Sequence, residues 1–208
     1  MPTSPDRLLE RVRNVDFPTL GHFLERGFVS PAIRRFGLAR RMAGTAVTLA
    51  LSEPDAGAVN RAIIDLRPGE VLVIDMGGDQ THAAIGAVTA AAARARGAEG
   101  IVIDGVVTDV DALAHPHTGI PVHARGTSCL TTKRRNSGSG RRGIPVETGG
   151  VRVEPGDIVL GDANGVVVLP PPSLAAVLAE AEASDAAEPE LLRRIAQGED
   201  LRGLLHLS

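Results

Sequence analysis

Two apolar runs, residues 70–75 (EVLVID) and 100–103 (GIVI), joined by an Ala-rich stretch at 81–96, constrain this chain more than any other feature. A short continuous apolar run reads as a strand buried on both faces. The stretch 81–96 has high helix propensity and stops at Gly97, while Met76-Gly77-Gly78-Asp79 reads as a turn. Strand, helix and strand in that order predict a right-handed crossover that sets the two strand ends side by side. Open α/β sheets carry ligands at that edge.

The flanking sequence extends the pattern. Residues 8–12 and 17–28 predict short helices and 44–50 a strand. Asp55 is placed to cap a helix through Val59 and Ile63 to Leu66, ended by Arg67-Pro68-Gly69. Residues 121–125, IPVETGGVRV, DIVLGD and GVVVLP predict short strands in a compact antiparallel or mixed layer, a barrel among the alternatives. Residues 170–187 and 188–197 predict two closing helices. With no internal repeat and no long linker, one α/β domain over residues 1–208 is expected.

Composition excludes several classes. No apolar stretch is long enough to span a bilayer, and MPTSPDRLLERVR lacks a signal-peptide core, so a cytoplasmic location is the default expectation. Cys129 is the single cysteine, which rules out an internal disulfide and an all-cysteine metal site. A net charge of −3, with four Phe and no Trp or Tyr, argues against nucleic-acid binding by charge or by base stacking.

Asp75, Asp79, Asp104 and Asp109 fall where strands end and loops begin. Carboxylates with water suit Mg²⁺, although Asp79 and Asp109 are equally suited to capping helices. Gly77-Gly78-Asp79 before a helix offers a weak anion site, without the GxGxxG pattern or a P-loop lysine. Residues 133–142 (KRRNSGSGRR) carry five cations that either close over a carboxylate or phosphate, or contact an acidic partner, or stay solvated. His115-Pro116-His117 lacks further ligands nearby, and His82 is the better placed histidine. Nothing around Cys129 marks a nucleophile.

The segments GGDQTHAAIGAVTAAAARARGAEGIVIDGVVTDVDAL, PVHARG, PVETGGVRVEPGDIVLGDANGVVVLP and AGTAVTL resemble the RraA-like family over residues 17–172. That family holds 4-hydroxy-4-methyl-2-oxoglutarate aldolases, oxaloacetate decarboxylases and the ribonuclease E regulator RraA. The resemblance implies an αββα sandwich akin to swivelling phosphohistidine domains, assembled as a homotrimer or hexamer. It also implies a small carboxylate substrate and a divalent metal, Mg²⁺ or Mn²⁺. The family's enzymes carry an Asp, twenty intervening residues, then Arg-Asp. Here the last Asp is Asp109, preceded by the matching Asp104-Gly105, but the Arg position is Thr108 and the first Asp position, after Gly86, is Ala87.

The resemblance therefore nominates Asp109 as catalytic residue and metal holder, with Thr108 and Asp104 beside it. Gly86, Ala87, Thr108 and Arg125 are the candidates for binding substrate. Thr108 donates one neutral hydrogen bond and does not replace a bidentate guanidinium. Arg125 or the 133–142 segment is the candidate source of the missing charge. Three readings follow: a metal-dependent lyase on a short 2-oxo acid, by retro-aldol cleavage or decarboxylation; a non-catalytic regulator acting on a protein client; and an enzyme with a shifted substrate. Asp104 and Asp109 favour the first and third, Ala87 and Thr108 the second. No methyl-donor motif is present.

Overall fold

The structure, a computed structural model, describes residues 4–133 and 138–205. The helices are α1 (Pro5–Val12), α2 (Ala56–Ile64), α3 (Ala87–Ala95), α4 (Val110–Ala114), α5 (Pro171–Ala196) and α6 (Leu201–Leu204), with a 3₁₀ turn at Phe17–His22. The strands are β1 (Arg34–Arg35), β2 (Met42–Ala50), β3 (Glu70–Ile85), β4 (Gly100–Val107), β5 (Val122–Ala124), β6 (Gly126–Thr127), β7 (Arg141–Arg142), β8 (Val146–Thr148), β9 (Val151–Val153), β10 (Ile158–Gly161) and β11 (Val166–Leu169).

The main sheet runs β1-β5-β4-β3-β2-β10-β11. Strands β2, β3, β4 and β5 pair in parallel, and β10 joins β2 antiparallel. Side-chain alternation explains why the central strands read as continuous apolar runs. Leu72, Ile74, Ile101 and Ile103 pack with Val59, Ile63, Ala90 and Ala93 of α2 and α3. The intervening Val71, Val73 and Val102 pack with Val146 and Val153 of the β8–β9 hairpin. Val159, Val166 and Val168 join that same cluster, so the sheet curls until its β10–β11 end faces its centre. The alternate residues Ile158, Leu160, Val167 and Leu169 face outward onto α1 and α5. Three buried clusters thus separate four layers in the order α, β, β, α.

Three sequence expectations change. The turn at 76–79 and the helix from Thr81 give way to one long strand. Gly77 and Gly78 at φ +60° and +77° carry the chain out of register with β4, and Ala83 and Ile85 return beside Val106 and Val107. Pairing and burial of Ala83, Ala84 and Ile85 outweigh the helix preference of alanine, so α3 starts only at Ala87. Residues 170–197 form one helix rather than two, because no Gly or Asn stops it and Pro189 is accommodated inside it. Beyond the 3₁₀ turn, residues 23–28 are not helical. Asp55 caps α2 as expected, accepting from Ala58 N–H at 3.1 Å.

Candidate active site

The β3–β4 register builds the site. It sets Ile85 beside Val107, and Thr108 N–H donates to the Ile85 carbonyl at 2.9 Å. The residues that follow each strand, Gly86-Ala87 and Thr108-Asp109, are thereby brought together although far apart in sequence. Ala87 N–H donates to Asp109 Oδ2 at 2.9 Å, so a carboxylate just past the end of β4 caps the first turn of α3. The Thr89 hydroxyl completes the cap, accepting from Gly86 N–H at 2.9 Å and donating to the Gly86 carbonyl at 3.0 Å.

Asp109 is held in an unusual backbone. Its φ of 56° and ψ of 44° are left-handed, and it has the single positive φ among the described non-glycine residues. Aspartate tolerates that region better than most residues. It opens α4 without a side-chain bond to α4. Its second oxygen, Oδ1, makes only a long contact of 3.4 Å with the Thr108 hydroxyl. Gly86 is required sterically: a Cβ there would lie 2.6 Å from Asp109 Oδ2 and 2.8 Å from Thr108 Cγ2.

These residues open onto a cavity of about 270 Å³ lined also by Asn60 of α2 and by Thr131 and Thr132. Sequence reasoning missed those three. Nothing local marks them, since they enter only through the pairing of Thr131 with Ala83 and the position of α2.

Asp104 and Arg125 stand elsewhere, outside that lining. Asp104 is 6 % exposed and lies inside β4 rather than at its rim. Arg125 pairs with both of its oxygens, through Nε and through Nη2 at 3.0 Å, and Gly149 N–H donates to Oδ2 at 2.6 Å. Asp75 acts alike, accepting from Gly77 N–H at 2.8 Å and Glu147 N–H at 3.1 Å. Both carboxylates tie the β8–β9 hairpin to the strand ends.

Asp79 accepts from the Thr81 and His82 amides at 2.6 and 3.1 Å and sits 2.9 Å from His82 Nδ1. Burial opposes its ionisation, but these bonds prevail and hold its carboxyl below the usual range. It caps no helix, and the strand occupies the place of the expected Gly77-Gly78 anion site. His117 N–H donates to His115 Nδ1 at 3.3 Å. Among the described residues no three His, Cys, Asp or Glu gather to hold a metal. Cys129 is exposed.

The cationic segment divides. Arg134, Arg135, Asn136 and Ser137 lie outside the described residues. Arg141 and Arg142 form β7 against β2, and Arg142 pairs with Asp65 at 2.8 Å, so neither lines the cavity. Among the described residues no helix is long and apolar enough to cross a membrane.

Comparison with known proteins agrees with the fold. A family model described as RraA-like, Aldolase/RraA, matches residues 16–168. A Halalkalibacterium halodurans protein named "Putative 4-hydroxy-4-methyl-2-oxoglutarate aldolase" is 36% identical over 130 residues, 62% of this chain and 60% of that protein. The match thus spans about three fifths of that relative's length. An uncharacterised Pseudomonas syringae protein superposes with a TM-score of 0.83 at 25% identity, covering 100% of this chain and 96% of its own. The RNA-processing inhibitor RraA from Thermus thermophilis superposes with a TM-score of 0.67 at 28% identity, covering 76% of this chain and 93% of its own. The chain belongs to the RraA-like family.

Proposed function

We propose that this chain is a divalent-metal-dependent carbon–carbon lyase acting on a short 2-oxo acid. One observation carries the reading: the β3–β4 register gathers Asp109, Thr108 and the α3 N-terminus on one cavity. A relative named as an aldolase supports it.

The donor set suits a hard cation. Among the described residues Asp109 is the one carboxylate in the cavity lining, its Oδ1 makes only the long contact with Thr108, and the neighbouring polar side chains are hydroxyls and an amide. Mg²⁺ is held by one or two carboxylates and keeps several waters, which a single aspartate satisfies. When bound, such a cation supplies Lewis-acid stabilisation of an enolate. Asp109 would hold it, the positive end of α3 would orient the substrate carboxylate, and Thr108 would donate one neutral hydrogen bond. In retro-aldol cleavage the C4 hydroxyl loses its proton to water and C4–O becomes a carbonyl. The C3–C4 bond breaks with its electron pair left on C3, which is then protonated to give pyruvate. Decarboxylation leaves the same pair on C3 as CO₂ departs.

The test is pyruvate release from 4-hydroxy-2-oxo acids and oxaloacetate with Mg²⁺ or Mn²⁺ against EDTA. Metal-dependent turnover lost in Asp109→Ala is the expected result. No turnover above the metal-only rate for any substrate overturns the reading. It would favour the second one, a regulator of the RraA kind, which the exchange of the signature Arg and Asp for Thr108 and Ala87 supports.

A further inference from the structure

Asp109 Oδ2 is held by the Ala87 N–H, and that N–H belongs to the peptide between Gly86 and Ala87. The carbonyl of the same planar peptide is that of Gly86, so fixing the carbonyl fixes the direction of the N–H on its other side. Glycine lacks a Cβ and is the least constrained of residues. The site nonetheless demands one here, because a Cβ would lie 2.6 Å from Asp109 Oδ2. The stiffness of this corner therefore comes from a neighbour. The Thr89 hydroxyl accepts from Gly86 N–H at 2.9 Å and donates to the Gly86 carbonyl at 3.0 Å. Those two groups lie in successive peptide planes, so one hydroxyl constrains both rotations about the Gly86 Cα. Ala90 N–H, 3.0 Å from the same carbonyl, holds only the second plane.

We propose that Thr89 is a positioning residue for Asp109: through the Gly86–Ala87 peptide it aims the N–H that clamps Oδ2, and so fixes the carboxylate that would hold a cation. The inference rests on the lyase reading, in which that carboxylate holds the metal. Asp109 opens α4 in a left-handed backbone without a side-chain bond to that helix, so α4 gives its carboxylate no support. The local sequence fits the role. In AVTAAAARA, Thr89 stands among alanines that form helix more readily, and its hydroxyl serves Gly86 instead. Gly86 takes the hydroxyl proton and one lone pair, so Thr89 acts on a ligand through Asp109 rather than by touching it. Removing a group that orients a metal-holding side chain typically weakens metal binding by about tenfold or more.

The test titrates Mn²⁺ into the full chain by calorimetry and follows the Ala87 amide proton by NMR in the metal-free protein. Thr89→Val keeps the shape and removes the hydroxyl, Thr89→Ala removes it in favour of a stronger helix former, and Thr89→Ser retains it. Both hydroxyl-free variants are expected to bind Mn²⁺ about tenfold more weakly. Their Ala87 resonance should move toward its position in Asp109→Ala. Thr89→Ser should stay within about twofold of the unaltered protein in affinity. An Mn²⁺ affinity in the hydroxyl-free variants within about twofold of the unaltered protein, whatever their stability in urea, means a helix cap alone and overturns the proposal. An unmoved Ala87 resonance does the same, as does an affinity lost equally in Thr89→Ser. Pyruvate release is measured on the same samples. Weakened binding in the variants, with no pyruvate release by the unaltered protein, refutes the lyase and leaves the positioning role standing. Absence of Mn²⁺ binding by the unaltered protein, or binding that Asp109→Ala leaves intact, refutes both.

Discussion

Replacing Asp104 by Ala removes the group that joins three segments of the chain. Asp104 is 6 % exposed, and its Arg125 partner has a side-chain exposure of 24%. Breaking a buried pair by deleting one partner costs about 3–5 kcal/mol, and the partial exposure of Arg125 brings this toward the lower end. The buried Gly149 amide also loses its acceptor, at about 1–3 kcal/mol, part of which water recovers once the β8–β9 hairpin loosens. A combined loss of about 3–4 kcal/mol is expected, against a total stability of about 5–15 kcal/mol for a typical domain. For a chain of this size that corresponds to a fall in Tm of about 6–16 °C. Scanning calorimetry reads it directly. Asp104→Asn keeps one acceptor and should lose about half as much. A Tm within about 2 °C of the unaltered protein, with activity abolished, would refute the structural role and return Asp104 to the chemistry.

Two further outcomes follow from the same geometry. Gly86→Ala places a Cβ against Asp109 Oδ2 and Thr108 Cγ2, which should cost about 1–3 kcal/mol and break the Ala87–Asp109 bond. Urea denaturation checks it, and a stability within about 0.5 kcal/mol of the unaltered protein would refute the packing argument. His123 is buried, with Nε2 2.8 Å from the Asp162 carbonyl and Nδ1 without a partner among the described residues. Burial holds it below its ordinary value of 6.5, against the opposing pull of that carbonyl. The unfolded chain takes up a proton as pH falls through 6.5 while the folded chain does not, so stability is full above that pH and declines below it. The slope is at most about 1.4 kcal/mol per pH unit. Denaturation at pH 7.5 and 5.5 measures it, and a difference that survives His123→Gln would refute the assignment.

Much of the fold was legible in the chain because its signals are local. Continuous apolar runs at 71–74 and 101–103 mark strands buried on both sides, and the bulky Leu and Ile residues separate cleanly from Val by face. Asp55 before α2 is a capping pattern that depends only on its neighbours. The signature spacing located Thr108 and Asp109, and the parallel register gives it a physical meaning. A helix and strand of that length return the chain to the same sheet edge.

Local preference misled where tertiary partners were stronger. Alanines at 83–84 prefer helix, yet β4 on one side and the Thr131 segment on the other hold them extended. Asp75 and Asp104 look like ligands in sequence, but which of four strand-end aspartates faces a cavity depends on what packs above it. The β8–β9 hairpin, distant in sequence, covers those two and leaves Asp109 open. The chain by itself determined the central apolar strand segments, the family and the position of the candidate carboxylate, since each is written in short-range pattern or spacing. Only the folded structure decided that Asp104 and Arg125 lock a hairpin, that Asp109 caps α3 and that Asn60, Thr131 and Thr132 line the cavity, because each is a contact between segments whose order in sequence says nothing about their distance.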